Sequence, residues 1–323
     1  MKISLILLSF LNSLVFIFTQ SRRTEFSAND FINSDVRRTI DLTNSIIKIE
    51  TTLMIKCHRV DPIFTYRFPL LKNNSQNLVH LKASLRSVDG KEEVSGVVVN
   101  KLNRLSDSTY DFYEINFKNE PMNNEEERVL VIEEDYSGRL EMLPKRITLK
   151  EDQLVVFSDT QNYLSVYTTN EQRTEVILPN ESTEVLMFTE DNSERLRDRI
   201  LYHLNFAVES LRTIPLRIHY EYNHPLTVFN YAHKIFEVSH WGNVAIEERY
   251  QIENVGAKLE GEFGRVDYDD RGRNGGKNAL RKLRAKLPLR SNNLWYRDEI
   301  GNVSTSRAVR NVKFNFNLIF FLV

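Results

Sequence analysis

Asp267 and Asp269 flank a tyrosine in a D-x-D pattern, in which two carboxylates can hold a divalent metal ion against a nucleotide-sugar diphosphate. This chemistry would indicate a metal-dependent glycosyltransferase. The pattern is common in unrelated loops, however, and enzymes that use it are usually built on α/β nucleotide-binding folds. A calcium loop beginning at Asp267 is disfavoured, because Arg271 occupies its fifth position and its twelfth lacks the required glutamate. A solvated turn is therefore the favoured interpretation.

Three N-glycosylation sequons predict a second kind of chemistry, the modification of asparagine. Each has the form N-x-S without a central proline, which is the acceptor pattern of secreted proteins. The predicted acceptors are Asn73, Asn180 and Asn302. A single sequon is a weak signal because the triplet often arises by chance. The prediction therefore depends on entry into the secretory pathway.

The start of the chain has the layout of a secretory signal peptide. Lys2 gives a basic start, the segment 3–18 is almost wholly apolar, and a short polar stretch follows. We therefore predict a signal peptide over residues 1–21, cleaved near Gln20 or Ser21. A retained anchor is the alternative, because the apolar run is near the short end for a bilayer span.

Charge and cysteine content exclude several classes of partner and cofactor. The net charge is −1, and Lys and Arg are spread along the chain, which argues against a nucleic-acid partner. Cys57 is the only cysteine, so an intramolecular disulfide and a multi-cysteine zinc site are excluded. It lies on the apolar side of a strand pattern, which favours a buried thiol over a reactive one. No P-loop, H-E-x-x-H helix or G-x-S-x-G elbow occurs, so no cofactor is predicted.

Alternating side chains predict that most of the chain forms β-strands. From Ile47 to Cys57, the residues at every second position can line a core, whereas most of those between them are polar. The same period recurs over 79–86, 113–117, 214–222, 235–241 and 244–252, with Gly242 and Asn243 as a hairpin turn between the last two. One-sided alternation is typical of antiparallel sheets with one solvated face. The predicted fold class is therefore mainly β, with two consecutive antiparallel β-sandwich-like domains and one or two short helices.

Two segments are predicted as helices. Leu196 to Leu211 carries apolar residues at helical spacing after Ser193, a candidate N-cap. Residues 279–287 form a short basic helix candidate that ends at a proline. A further proline, Pro225, interrupts two strand patterns and predicts a domain boundary. The predicted organisation is a signal peptide (1–21), a first β-rich domain (22–224), a partial second β-rich domain (225–306) and a divergent hydrophobic tail (307–323).

Four segments carry a resemblance to a known family. Residues 237–248 read EVSHWGNVAIEE, residues 295–306 read WYRDEIGNVSTS, residues 256–263 read GAKLEGEF, and residues 38–42 read RTIDL. In this order and at these separations they resemble the ribophorin I family. The resemblance is strong from about residue 232 to 306, weaker from 38 to 178 and poor between 189 and 212.

The resemblance implies a type I membrane protein of the endoplasmic reticulum with two luminal β-rich domains. It implies a non-catalytic accessory subunit of the oligosaccharyltransferase complex, which transfers an oligosaccharide from dolichyl diphosphate to asparagine in nascent chains. In this family the transfer chemistry belongs to a different subunit. The implied partners are the other subunits, including the catalytic one, and nascent polypeptides. The resemblance also implies a glycan on Asn302.

After Ser306 the sequence departs from the family pattern. The apolar stretch 314–323 is too short to cross a hydrocarbon core, so we expect the second domain to be incomplete and the anchor missing. A short hydrophobic strand is the competing interpretation of this stretch. Two other functions stay open, a stand-alone secreted β-sandwich binding module and a metal-dependent glycosyltransferase that uses Asp267 and Asp269.

Overall fold

The structure is a computed structural model that describes residues 27–88, 93–94, 97–117, 120–180, 183–264, 266, 279–280, 282–288, 291–299, 301–302, 307–311 and 316–322. Strands dominate these residues, so the predicted mainly β fold is confirmed. The strands are β1 (Phe31–Asp41), β2 (Ile47–Cys57), β3 (Thr65–Leu71), β4 (Leu78–Arg86), β5 (Glu93–Val94), β6 (Val98–Lys101), β7 (Tyr110–Asn116), β8 (Glu127–Tyr136), β9 (Leu140–Met142), β10 (Arg146–Ile147), β11 (Leu154–Thr160), β12 (Thr168–Ile177), β13 (Val185–Phe188), β14 (Ser193–Arg195), β15 (Arg199–Leu204), β16 (Pro215–Glu221), β17 (Thr227–Val238), β18 (Val244–Asn254), β19 (Lys258–Leu259), β20 (Lys282–Leu287), β21 (Arg307–Asn311) and β22 (Phe316–Leu322). A short helix, α1 (Lys72–Gln76), lies between β3 and β4.

Contacts divide the described residues into two compact units. Unit 1 comprises the residues up to Arg139, together with Asp159–Leu178 and Glu190–Leu216. Unit 2 comprises Leu140–Ser158, Pro179–Thr189 and the residues from Arg217 onward. Each unit is thus built from separate stretches of sequence. The predicted domain limits at residues 21, 224 and 306 stay predictions.

Unit 1 combines two sheets around one hydrophobic core. The larger has eight strands in the order β14-β15-β12-β1-β2-β8-β4-β5, and the smaller has three in the order β3-β7-β6. Phe31 and Leu53 from the larger sheet and Phe68 and Ile115 from the smaller sheet belong to the same buried cluster. Burial of apolar side chains between sheets is the main stabilising contribution in such an arrangement.

Strand β2 shows how the alternating sequence produces this core. Ile47, Leu53 and Cys57 are buried, whereas Lys48 and Glu50 on the opposite face are exposed. Successive strand side chains point to opposite faces, so one face enters the core and the other faces water. The strand predicted over 113–117 is likewise confirmed by β7, and the one over 214–222 by β16.

The predicted strand over 79–86 forms as β4, but a bulge displaces its first apolar residue. Leu78 pairs with Tyr136 and His80 with Asp135, which leaves Val79 as an extra residue without a partner position. Val79 is exposed, whereas Ala83 and Leu85 beyond the bulge are buried. A bulge reverses the side-chain alternation that the sequence period assumes.

Two of the strand pairs that the structure describes are parallel, which the sequence period does not predict. β1 pairs with β2 in the antiparallel sense but with β12 in the parallel sense, and β10 pairs with β19 in parallel. A parallel neighbour requires a long connection. The chain between β1 and β12 runs through ten other strands, so this pairing is a long-range property.

The predicted helix over 196–211 is wrong, because this segment contains β15 after the short strand β14. β15 pairs with β12, and its residues Ile200, Tyr202 and Leu204 are buried on one face. Leu196 and Leu211, which supplied the helical spacing, are both exposed. Burial of these three side chains at strand spacing, together with backbone pairing to β12, stabilises a strand more than the helical spacing of the leucines stabilises a helix.

The predicted basic helix over 279–287 is also wrong. Residues 282–287 form β20, which pairs with β22, and β22 pairs on its other side with β21. Pairing with an apolar strand more than twenty residues away overrides local helix propensity. The presence of β22 supports the strand interpretation of the C-terminal stretch. Among the described residues, no helix has the length and apolar character needed to cross a membrane.

Candidate interaction and glycosylation sites

The three predicted acceptor asparagines are all exposed, in different local settings. Asn73 lies on α1, and Asn180 follows β12 in a turn whose backbone bonds to Thr183. Asn302 follows a turn in which the Asp298 N–H donates to the Gly301 carbonyl over 2.9 Å. Each side chain is therefore accessible, while its modification stays a prediction.

The sequon at Asn73 has its hydroxyl engaged in the fold. Ser75 Oγ lies 2.9 Å from the Tyr113 hydroxyl, and Lys101 Nζ donates to Asp111 nearby over 2.6 Å. Burial alone would raise the pKa of Asp111, but hydrogen bonds from Lys101 and Ser75 and nearby positive charges lower it to about 2. Because the folded structure holds the Ser75 hydroxyl of the sequon against Tyr113, we expect glycan addition at Asn73 to precede the folding of α1.

Asp267 and Asp269 lie outside the described residues, so the D-x-D hypothesis has no geometry to test. In the part of the chain that the structure describes, no group of three or more His, Cys, Asp or Glu side chains could hold a metal ion.

Cys57 is buried at the end of β2, which confirms the predicted buried thiol. Burial is the largest influence on this thiol and raises its pKa. Because the thiolate is the reactive form, burial disfavours the alternative of a reactive cysteine.

Unit 1 contains a buried ion pair between Arg38 on β1 and Asp159 near the end of β11. Arg38 Nη2 donates to Asp159 Oδ2 over 3.0 Å, and the two side chains are only 7% and 1% exposed. Arg38 Nη1 donates to the Thr160 carbonyl over 2.7 Å, and Asn74 Nδ2 donates to Asp159 Oδ1 over 3.1 Å. A second guanidinium, that of Arg139, lies 3.8 Å from Asp159. Such bonds are what a buried charge requires to be tolerated.

Glu134 on β8 adds a second buried carboxyl to this group. Burial is the dominant influence and raises its pKa to about 7, while the charges of Arg38 and Arg139 act in the opposite direction. Arg139 also stacks over the Tyr136 ring, with 5.2 Å between its Cζ and the ring centroid. A small pocket is lined by Arg38, Asn74, Glu134, Asp159 and Tyr136, among others.

This buried charge cluster comprises two arginines and two carboxyl groups, so its charges can neutralise one another. We interpret it as a structural network within unit 1 that joins β1 and β8 to Asp159. Sequence reasoning missed it because Arg38 and Asp159 are 121 residues apart. Their charges were visible in the sequence, but nothing local showed that they are buried.

Strands β17 and β18 form an antiparallel ribbon of two strands, which confirms the predicted hairpin. Ser239 and Asn243 close the turn through a backbone bond of 2.8 Å, and Gly242 adopts φ +85°, a conformation that favours glycine. Trp241 at the tip is 93% exposed. A two-stranded hairpin is at best marginally stable alone in water. This ribbon is therefore a candidate interaction surface.

The two faces of the ribbon differ in chemistry, because directly paired residues of an antiparallel ladder share a face. The apolar face carries one ion pair, Lys234–Glu248, amid the pairs Val238–Val244, Phe236–Ile246, Ala232–Tyr250 and Phe229–Ile252. The opposite face, called the acidic face here, carries Glu237, Glu247 and Glu253, with Arg249 bonded to Glu247 over 2.7 Å. It also carries the side chains of Val228, Tyr231, His233, Ile235, Ala245 and Gln251. One face thus resembles the inside of a sandwich, although most of its side chains are exposed.

Comparison with known proteins places this chain in a family. The family model described as Ribophorin I matches residues 31–320. The chain belongs to the ribophorin I family. The resemblance inferred from the four sequence segments is confirmed, and one of its two longest segments, 237–248, forms the tip of the β17–β18 ribbon.

Curated relatives agree with the ribophorin I assignment. Dolichyl-diphosphooligosaccharide–protein glycosyltransferase subunit 1 of Caenorhabditis elegans is 30% identical over 287 residues, which cover 88% of this chain and 47% of that protein. Subunit 1A of Arabidopsis thaliana is 30% identical over 86% of this chain and 45% of its own length, and subunit 1B is 32% identical over 87% and 60%. The chain therefore spans about half the length of the curated relatives it matches.

Solved structures give a weaker likeness. Native yeast LTA4 hydrolase matches 69% of this chain and 34% of its own, with a TM-score of 0.34 and 10% sequence identity. A likeness at this level carries no functional argument.

Proposed function

We propose that this chain acts as a non-catalytic accessory subunit of the oligosaccharyltransferase complex, supporting N-linked glycosylation of nascent polypeptides in the lumen of the endoplasmic reticulum. The observation that carries the proposal is the ribophorin I match over residues 31–320. Relatives named as subunit 1 of the glycosyltransferase support it. The partners we propose are the other subunits, including the catalytic one, and nascent chains. A membrane location is proposed on the family resemblance.

Co-purification tests this proposal. The full chain, tagged at its C-terminus, is expressed in cells depleted of their own subunit 1. We expect it to be recovered with the catalytic subunit from detergent-solubilised endoplasmic reticulum. The control lacks residues 1–21, the predicted signal peptide, and should stay in the cytosol without glycans.

Two results would contradict the proposal. Recovery of the intact chain from the medium, without the catalytic subunit, would support the secreted binding module instead. Glycan transfer by the purified chain alone, lost when Asp267→Asn and Asp269→Asn are introduced, would support the transferase hypothesis.

We further propose glycans on Asn73, Asn180 and Asn302. Replacing each acceptor with glutamine should remove one glycan step from the electrophoretic mobility of the chain, because glutamine is not an acceptor. Asn44→Gln is the matched control, since Asn44 is exposed but lies outside a sequon. Endoglycosidase treatment should bring all variants to one mobility. Unchanged mobility of an acceptor variant before that treatment would show that its site is unoccupied.

A further inference from the structure

The outer edge of β18 has no partner strand among the residues that the structure describes. We propose that this edge binds an extended polypeptide with alternating apolar and basic side chains, as a third strand of the β17–β18 ribbon. Addition of a strand to an open sheet edge is a common mode of peptide recognition, in which main-chain bonds give affinity and alternate side chains give specificity.

The register of the ribbon identifies the β18 residues that would form these bonds. The Ser239 N–H donates to the Asn243 carbonyl, and the Val255 N–H donates to the Leu226 carbonyl at the other end. Inward and outward amides alternate in an antiparallel ladder. The residues of β18 whose N–H and C=O groups point outward are therefore those at the even positions, Val244, Ile246, Glu248, Tyr250, Ile252 and Asn254.

The same residues place their side chains on the apolar face. An added strand would therefore set every second side chain beside Val244, Ile246 and Tyr250. Glu248 contributes little net charge to this face because Lys234 pairs with it, and the Tyr250 hydroxyl donates to it over 2.6 Å. The positions of the added strand that lie on this face should be apolar.

The other side chains of the added strand would lie on the acidic face. β18 presents Glu253 there, together with Glu247, whose charge is paired with that of Arg249. Glu237 of β17 adds a further negative charge to this face. Lys or Arg at the alternate positions of the bound segment would complement these charges.

This charge pattern favours a basic peptide over other occupants. A second copy of β18 would bring Glu247 and Glu253 of both ribbons onto one sheet, with like charges close together. Anionic lipid head groups would be repelled by the same carboxylates. A role of this edge in holding nascent chains rests on the proposed function. Peptide binding by the edge does not, because it is measured in the absence of any other subunit.

The experiment uses the purified full chain and a labelled peptide of 11 residues, the length of β18, in which valine or isoleucine alternates with lysine. Binding is followed by fluorescence anisotropy. Ile246→Lys should weaken binding about tenfold or more, because it places a charge on the apolar face beside the bound strand. The matched control is Val98→Lys, which lies on β6 of unit 1 with nearly equal exposure, 37% against 40%.

Peptide N-methylation separates strand addition from general hydrophobic binding, because it removes the amide donor at chosen positions. Methylation of the apolar residues alone should weaken binding about tenfold or more, since these residues face the outward amides of β18 in an antiparallel alignment. Methylation of the lysine amides alone should leave binding nearly unchanged. The opposite result would support strand addition in the parallel sense.

Several outcomes would overturn the proposal. Equal effects of the two methylated peptides would show that main-chain pairing is absent. Equal effects of Ile246→Lys and Val98→Lys would place the binding elsewhere. Self-association that competes with the peptide would identify a second copy as the occupant, and flotation with neutral phosphatidylcholine vesicles without peptide binding would identify a lipid surface. Failure of co-purification with the catalytic subunit would contradict the proposed function without changing the peptide result.

Discussion

Arg38→Met is expected to lower the free energy of unfolding by about 3–5 kcal/mol, because it leaves the buried Asp159 carboxylate without its main partner. The substitution retains much of the apolar volume of the arginine stem, so loss of charge pairing is the principal change. Arg139, at 3.8 Å from Asp159, should compensate in part and place the effect near the lower end. Urea unfolding followed by circular dichroism measures the difference.

Arg37→Met is the matched control for this experiment. Arg37 is the next residue of β1 and pairs with Asp35 over 3.1 Å, but its side chain is exposed. An exposed pair of this kind contributes about 0–1 kcal/mol. If the two variants lost similar stability, the buried cluster would not have the structural role inferred for it. Arg38→Met combined with Asp159→Leu should recover part of the loss, since it removes the unpaired charge.

Glu134→Gln is expected to abolish a pH dependence of stability that the native chain shows between about pH 5 and pH 8. Burial raises the pKa of Glu134 from 4.5 to about 7, so the folded state keeps a proton that the unfolded state has already lost. The stability contribution of this group is therefore present in full below pH 4.5 and is lost as the pH rises to about 7. The expected loss in the native chain is about 3 kcal/mol.

Glu134→Gln should have a higher free energy of unfolding than the native chain at pH 8. At pH 5 the two free energies of unfolding should be more similar. Glu133→Gln is the matched control, because Glu133 is adjacent on β8 but its side chain is 44% exposed. Urea unfolding at several pH values provides the measurement. Asp111, whose pKa is lowered to about 2, acts in the opposite sense and only at lower pH, so it does not obscure the result. The same pH slope in native and Glu134→Gln proteins would contradict this account.

The consequences for function follow from where these charges lie. The residues of the buried charge cluster all belong to unit 1, whereas the proposed binding edge belongs to β18 in unit 2. Substitutions in the cluster should therefore change folding stability without changing the binding preference of the ribbon. This separation allows stability variants to serve as controls for binding variants.

The alternation of apolar and polar residues correctly predicted the strands whose formation depends on their own side chains and turn residues. β2, β7, β16 and the β17–β18 hairpin follow directly from side-chain period and turn residues, because a strand with one buried face requires that period wherever it lies in a sheet. The three acceptor asparagines were also found from the sequence, since a sequon is a local pattern. All three are exposed.

Partners that are distant in sequence account for what the sequence did not predict. The apolar residues of segment 196–211 have helical spacing in the sequence, but pairing with β12 makes the central part of this segment a strand. β1 and β12 pair in parallel across more than a hundred residues, and Arg38 meets Asp159 across 121. Neither the strand pairing nor the ion pair can be recognised from the neighbouring residues in the sequence.

The sequence by itself determined the mainly β class, the hairpin and its turn, the glycan acceptor pattern and the family resemblance, since each resides in short runs of residues whose side chains dictate local geometry. The tertiary structure alone decided which charges are buried together, which segments with helical spacing become strands, and which strand edges lack a partner among the described residues. These outcomes depend on long-range contacts, because burial and backbone pairing depend on which distant residues fold against a segment.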